Sequence, residues 1–428
     1  MKAQSAMLKK FFEIKNDKIV SNFFSLGILQ LTNYLMPLVA MPFLLRTVGF
    51  ERFGKIYFAQ AVVSYFIILS EYGFGLTATR LISVSKNQIK TISTIFSETI
   101  TVQIILSILA FFLLLLLVVA FPFFRKDTTL FLNSFTAVIG QILLVPWFFQ
   151  GTEKMKFITY LNLASKGSSL IFLFLFVTKQ SDYVLVPLIY SFGNIFSGIF
   201  GMIIIFRVFK VNYEFPLQST IFTRLRQGFP VFISSLSVSA YLNSNLIILG
   251  FFSSETGLGL FALAERIMQV LRQLLVVFSQ AVYPQVCILA KISKESLIGL
   301  YKKFYLPFLL LIVLSSSIIF LFSKDICVLI AGYESASASL LTKILIVSPV
   351  IVCLNIPFYQ NLLANDFRTN YMMVILSGAI FNILINIILS SQYGAIGTAI
   401  SVLATEFFVT TGMVLSMERL GPKYSFFK

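Results

Sequence analysis

Two apolar stretches near the start of the chain, residues 19–45 and 54–76, constrain its fold more than any other feature. Each is long enough to cross a bilayer, and only a short polar turn separates them. A membrane-spanning helix needs about 20 predominantly apolar residues, so the pair reads as a membrane helical hairpin. The first stretch carries no charge but does carry Gln30, Thr32, Asn33, Pro37 and Pro42. In lipid, a proline that frees a backbone carbonyl is tolerated where neighbouring helices, side chains or a wet cavity satisfy it. This helix is therefore expected to bend against protein rather than serve as a plain anchor. The second stretch ends on Glu71, which the hairpin places near the membrane face or inside a bundle.

The same pattern runs to the end of the chain. Of its 428 residues, 58% are apolar and 12% charged; at about 20 residues per span, that leaves room for roughly twelve helices and no separate soluble domain. The expected spans are 19–45, 54–76, 92–119, 129–149, 157–177 and 183–206, then 229–252, 258–288, 304–322, 340–364, 371–390 and 394–417. The domains follow: a tail at 1–18, read as uncleaved and cytoplasmic, a six-helix bundle at 19–206, a linker at 207–227, a second six-helix bundle at 228–417 and a tail at 418–428. Gly54, Phe58, Ala59 and Ala61 recur as Gly257, Phe261, Ala262 and Ala264, each set opening the second helix of its half. The fold class is thus an all-α polytopic membrane protein of two six-helix bundles related as parallel repeats. Such repeats enclose a central cavity that opens to either side by rocking.

Positive charge orients the chain. With the N-terminus inside and twelve alternating spans, 22 of the 33 Lys and Arg fall in cytoplasmic segments and 7 on the other side, and both termini are cytoplasmic. The net charge of +16 then reads as a positive-inside signature and a match to anionic lipid heads, not as a nucleic-acid surface. Three cysteines, Cys287, Cys327 and Cys353, lie in or beside apolar runs, and there is no histidine. Free buried thiols follow, with no metal set and no His-based catalysis or proton relay.

Chemistry is left to the ions inside the membrane: Glu71, Glu98, Lys166, Glu265, Arg266, Arg272, Lys343 and Glu406. Each costs about 2.5 to 3.5 kcal/mol at the centre of a bilayer, so most must face protein or water. Glu71, Glu98 and Lys343, near span ends, also have the option of reaching the interface. Span 258–288 is the most informative. At about 100° per residue, Glu265, Arg266, Gln269, Arg272, Gln273 and Gln280 share an arc of roughly 120°, while Ile267, Leu271, Leu274, Leu275, Phe278 and Val282 occupy the rest. An amphipathic helix within a membrane bundle lines something wet.

Arg272, Arg266 and Lys166 are the expected contacts to an anionic substrate, because guanidinium grips phosphate through paired hydrogen bonds and lysine adds a point charge. Glu265 and Glu406 are the expected acids for coupling to a proton or sodium ion, with no other cofactor. Gln269, Gln273, Asn243 and Asn386 add donors and acceptors suited to sugars, as do Asn245, Asn355 and Asn382. Paired catalytic carboxylates, a metal cluster and an ATP-binding loop are all missing from the sequence. A transporter is therefore preferred over a membrane-embedded glycan polymerase or ligase, and the chain is not expected to be an enzyme.

The runs LGILQLTNYLMPLVAMPFLLRTVGFERFGKIYFAQA, YFIILSEYGFGLTATR and VPWFFQGTEKMKFITYLN resemble Wzx-type polysaccharide flippases of the multidrug/oligosaccharidyl-lipid/polysaccharide exporter superfamily. The resemblance implies movement of an undecaprenyl-pyrophosphate-linked oligosaccharide, an O-antigen or similar repeat unit, to the periplasmic leaflet of a bacterial inner membrane. It also implies work alongside a polysaccharide polymerase and chain-length proteins. The alternative is a multidrug or other lipid-linked-substrate exporter of the same fold.

Overall fold

The computed structural model describes the backbone of residues 2–85 and 88–420, and the side chains from residue 36 onward except at positions 86–87, 241–242, 291 and beyond 420. The expectations at Gln30, Thr32 and Asn33, and most of the C-terminal tail, lie outside these described parts. Among the described residues the chain is helical, with no strand. Nine helices among the described residues are long and apolar enough to cross a membrane, or ten when the bent pair within 218–252 counts as one span.

Helices α1 (Lys2–Glu71) and α14 (Arg368–Arg419) are double-length, and each breaks at a glycine: Gly49 (φ 77°, ψ 168°) and Gly394 (φ 54°, ψ −129°). A side chain is essentially excluded from both backbone conformations, so only glycine turns the chain there without strain. The count of twelve spans divides these two helices at the same places. Three expected spans are interrupted instead, the first of them 54–76, which stops at Glu71 and resumes at Phe74 after Tyr72 and Gly73, both at positive φ. Span 129–149 stops as α4 (Thr128–Leu144) at Val145, whose φ is 45°, and restarts as α5 (Pro146–Gly151). The residue before a proline avoids the helical region, which explains why the helix cannot run through. Span 340–364 is likewise α12 (Ala336–Leu345) followed by α13 (Ser348–Ala364), with Pro349 opening the second piece.

The chain divides into two compact units, one joining residues up to Phe43 with Val62–Leu236, the other joining Leu44–Ala61 with residues from Ser237 onward. In the first unit, α4 packs against α7 (Val186–Arg207), which also packs on α6 (Met155–Phe176). Helix α2 (Phe74–Val84) lies on α5. Helix α3 (Ile89–Ala120) carries Ser93, Ser97 and Thr101 four residues apart, hence on one stripe. Residues 208–217 run along that stripe as an extended strap. Asn212 N–H donates to Ser93 Oγ (3.1 Å), Glu214 N–H to Ser97 Oγ (3.0 Å), and the Tyr213 and Thr101 hydroxyls pair at 2.8 Å. The strap ends where α8 (Gln218–Phe252) begins, so the second half of the expected linker 207–227 is helical.

In the second unit, residues 44–61 of α1 pack on α9 (Glu255–Ile292), the helix that carries the polar arc. At Gly54 the two backbones nearly touch: a Cβ there would sit 2.5 Å from both Glu255 O and Gly259 N. Lys55 and Glu255 add an ion pair at 2.9 Å beside this crossing. Farther along, Pro357 removes the donor that would serve the Cys353 carbonyl within α13. The Tyr305 hydroxyl supplies it at 3.0 Å, while the Tyr301 hydroxyl donates to Pro357 O at 3.3 Å. Both tyrosines stand on a π-helical turn, Tyr301–Tyr305, that precedes α10 (Leu306–Leu321). A short helix outside the expected spans, α11 (Ser323–Ala331), follows α10.

Candidate substrate cavity

Helix α9 presents Glu265, Arg272 and Ser279 at seven-residue intervals. Seven residues are close to two helical turns, so the three side chains share a face and stand about 10 Å apart along the axis. A cavity of about 490 Å³ opens against this face, entirely within the second unit. Glu265, Gln269, Arg272 and Gln273 line it from α9, Asn243 and Asn245 from α8, Asn355 and Tyr359 from α13, and Tyr371, Asn382, Thr405 and Glu406 from α14. Half of these polar residues are buried, Glu265 and Glu406 included, and the rest are partly exposed.

At the middle level, Arg272 pairs with Glu406, and the same Nη2 donates to Ser348 Oγ at 2.6 Å. Its Nε is buried without a partner, as is Asn355 Oδ1. A buried donor or acceptor left unmade costs about 1 to 3 kcal/mol, so these two atoms mark where a ligand gains most. At the next level, the Tyr359 hydroxyl bonds Ser279 Oγ, and Gln360 Nε2 donates to Ser279 O and Oγ at 3.0 and 2.9 Å. Asn382 is held on both sides, donating to Thr405 Oγ1 (3.0 Å) and accepting from Ser244 Oγ (3.2 Å).

Nine of the residues singled out from the sequence therefore meet in one cavity: Arg272, Glu265, Glu406, Gln269, Gln273, Asn243, Asn245, Asn355 and Asn382. The others stand elsewhere. Asn386 is one layer back and donates to Asn245 Oδ1 at 3.0 Å. Arg266 lies over the Tyr57 ring at 4.6 Å and donates to Gln269 at 3.1 Å. A helix turns about 240° between Arg266 and Arg272, which leaves Arg266 at the edge of the arc. Lys166 is on α6 in the first unit. The surplus of positive charge anticipated for the lining does not describe this cavity, whose charged groups are Arg272, Glu265 and Glu406.

Glu71 accepts from Gln141 Nε2 at 2.5 Å, and Glu98 pairs with Arg224 at 2.6 Å, both within the first unit. Lys343 lies 5.6 Å from the Phe320 ring centroid. Ser348, Tyr359, Tyr371 and Thr405 were not anticipated. One signal pointed at Tyr359: it follows Pro357 in Ile-Pro-Phe-Tyr-Gln-Asn, a polar run inside an apolar span.

Comparison with known proteins is consistent with this architecture. A family model described as "Polysaccharide biosynthesis protein" matches residues 19–289. A relative from Escherichia coli (strain K12), named "Putative O-antigen transporter", is 31% identical over 400 residues, covering 92% of this chain and 95% of its own length. One of the same name from Shigella dysenteriae is 27% identical over 393 residues, covering 90% and 96%. Among solved structures, the inward-facing conformation of a multidrug resistance MATE family transporter of the MOP superfamily superposes with a TM-score of 0.68 at 13% identity, covering 90% of this chain and 97% of that one. Lipid II flippase MurJ, in an inward closed conformation, gives 0.65 at 15% identity, covering 94% and 87%. At such identities these structures speak for the fold alone: that of a polytopic membrane protein, as the sequence led us to expect. The family match over residues 19–289 and the relative 31% identical across 92% of the chain establish that this protein belongs to the polysaccharide biosynthesis protein family.

Proposed function

We propose that this protein moves an undecaprenyl-pyrophosphate-linked oligosaccharide, an O-antigen or similar repeat unit, from the cytoplasmic to the periplasmic leaflet of a bacterial inner membrane. The observation that carries the reading is Arg272, a guanidinium inside the membrane whose Nη2 is engaged and whose Nε has no partner, facing a cavity rich in amides. A planar fork of this kind matches a phosphate oxygen pair, and the amides match sugar hydroxyls. The similarity to two relatives named "Putative O-antigen transporter" supports the substrate class.

In this mechanism the diphosphate takes the place of Glu406 on Arg272, and the displaced carboxylate is compensated by a proton or a sodium ion. Glu265, about 10 Å away on the same face of α9, is the second acid available for coupling. Substrate and cation are then linked through one guanidinium, and the linkage is reciprocal. The two acids also support a second reading, export of a cationic drug, because they outnumber the single arginine of the lining.

Deleting the gene separates these readings. Lipid-linked repeat units should accumulate on the cytoplasmic leaflet; accumulation of a cationic drug with normal repeat-unit export would overturn the proposal.

A further inference from the structure

We infer that Tyr359 and Tyr371 form a saccharide subsite one level along α9 from Arg272, so that the cavity reads the sugar as well as the phosphate. The inference rests on the proposed function and adds to it the residues that recognise the carbohydrate. Both rings line the cavity and are partly exposed within a largely buried setting, with centroids 6.1 Å apart and planes inclined at 48°.

Tyr359 is held from behind. Part of its ring packs into the cluster of Leu275, Ile356 and their neighbours, and its hydroxyl is tied to Ser279, itself bonded by Gln360. A ring so oriented offers a rigid surface at little cost in conformational entropy, while the tyrosine as a whole remains amphipathic. A pyranose has the matching character, an apolar C–H face edged by hydroxyls. Asn355 supplies the polar half of the match. It is buried, it lines the cavity, and its Oδ1 has no partner. A sugar hydroxyl donating to that oxygen relieves a buried unsatisfied acceptor, whereas a hydrocarbon chain in the same place leaves it unmade.

Position fits the same ligand. Tyr359 is fixed at the level of Ser279, about 10 Å along the helix from Arg272. That level lies toward the C-terminal end of α9, and the positive charges from residue 291 onward assign that end to the cytoplasm. A diphosphate on Arg272 and a ring on the tyrosines therefore belong to one molecule entering from the side where lipid-linked sugars are built.

The test uses the full-length protein in lipid nanodiscs and three probes: undecaprenyl diphosphate, undecaprenyl-diphospho-N-acetylglucosamine, and free N-acetylglucosamine oligomer. Wild type should bind the glycosylated lipid about tenfold tighter than the bare diphosphate, as one or two added hydrogen bonds and a stacked ring imply. Tyr359→Leu and Tyr371→Leu should bring that ratio close to one while affinity for the bare diphosphate stays within about twofold of wild type. Arg272→Gln should weaken both lipids and leave their ratio. Thermal melts identify folded variants, and Tyr371→Leu alone suffices if Tyr359→Leu does not fold.

An unchanged ratio in a folded tyrosine variant overturns the subsite, as does a wild-type protein that binds both lipids equally. Wild-type protein that binds neither lipid overturns the proposed function and the subsite with it. Free oligomer binding in wild type and not in the tyrosine variants supports the subsite as one for sugar itself, and oligomer binding unaffected by either variant counts against it.

Discussion

Each of the two units contains a buried arginine–glutamate pair, and the two pairs are built differently. In the first unit, Arg224 directs both Nε and Nη2 at a single oxygen of Glu98, each at 2.6 Å, and spends Nη1 on Gln227 at 3.4 Å. Every nitrogen of that guanidinium is occupied. In the second unit, Arg272 meets Glu406 and Ser348 through Nη2 alone, and its Nε is left over beside a cavity. Exposure hardly separates them, since the arginine side chains are 15% and 20% exposed and both glutamates 7%. What differs is saturation. The first pair closes on itself and pins the start of α8 to α3, near the strap over Ser93 and Ser97. The second leaves a buried hydrogen-bond donor unmade on a side chain that lines a cavity, so a ligand that draws the guanidinium forward has a contact to gain.

The largest effect that could break this comparison is on the amount of folded protein. Arg224→Ala strands Glu98 in a closed environment, and removing one partner of a buried pair typically costs about 3 to 5 kcal/mol. Membrane-inserted protein should fall severalfold on quantitative immunoblotting, and Glu98→Gln combined with Arg224→Ala should recover part of it. Arg272→Ala should instead leave protein levels near normal, because the cavity admits water to Glu406. Flipping should drop roughly tenfold to a hundredfold, the equivalent of losing about 1.5 to 3 kcal/mol of charge-assisted contact. Arg272→Lys should restore part of the activity, since lysine carries the charge without the fork. Equal protein loss in the two alanine variants would show that the pairs are equivalent, and fully active Arg272→Ala protein would remove Arg272 from substrate binding.

Coupling sharpens the contrast further. If Glu406 exchanges its arginine for a cation, Glu406→Gln should flatten the pH or sodium dependence of flipping in reconstituted vesicles, as should Glu265→Gln to a smaller degree. Neither dependence should change in Glu98→Gln. Wild-type profiles in both cavity variants would exclude these acids from coupling.

The smallest effect separates two tyrosines of neighbouring helices. Tyr305 serves the carbonyl that Pro357 frees, so Tyr305→Phe should lower thermal stability by about 1 to 2 kcal/mol, within the range for an unsatisfied buried acceptor, without altering substrate affinity. Tyr359→Phe, at the cavity, should do the reverse: the melt stays close to wild type and affinity for the glycosylated lipid declines severalfold. Matching profiles for the two variants would dissolve the distinction between pin and site.

Much of this protein follows from its one-dimensional pattern. Apolar runs of span length, separated by glycines and short polar turns, give an all-helical membrane chain, because a backbone in hydrocarbon must satisfy its hydrogen bonds within each segment. The polar arc of α9 was equally legible, since helical periodicity alone brings Glu265, Gln269, Arg272 and Gln273 to one face. Which partners that face would meet was decided only in three dimensions. Arg272 and Glu406 are 134 residues apart and Tyr359 and Ser279 are 80 apart, and no local propensity couples such positions. Arg266 shows the limit most directly. It is adjacent in sequence to Glu265 and has the same chemistry as Arg272, yet it lies over Tyr57, while Arg272 lines the cavity. A shared arc sets which residues are polar neighbours on one helix. The packing of other helices against that arc sets which of them keep a donor free, and that choice depends on contacts distributed along the whole chain.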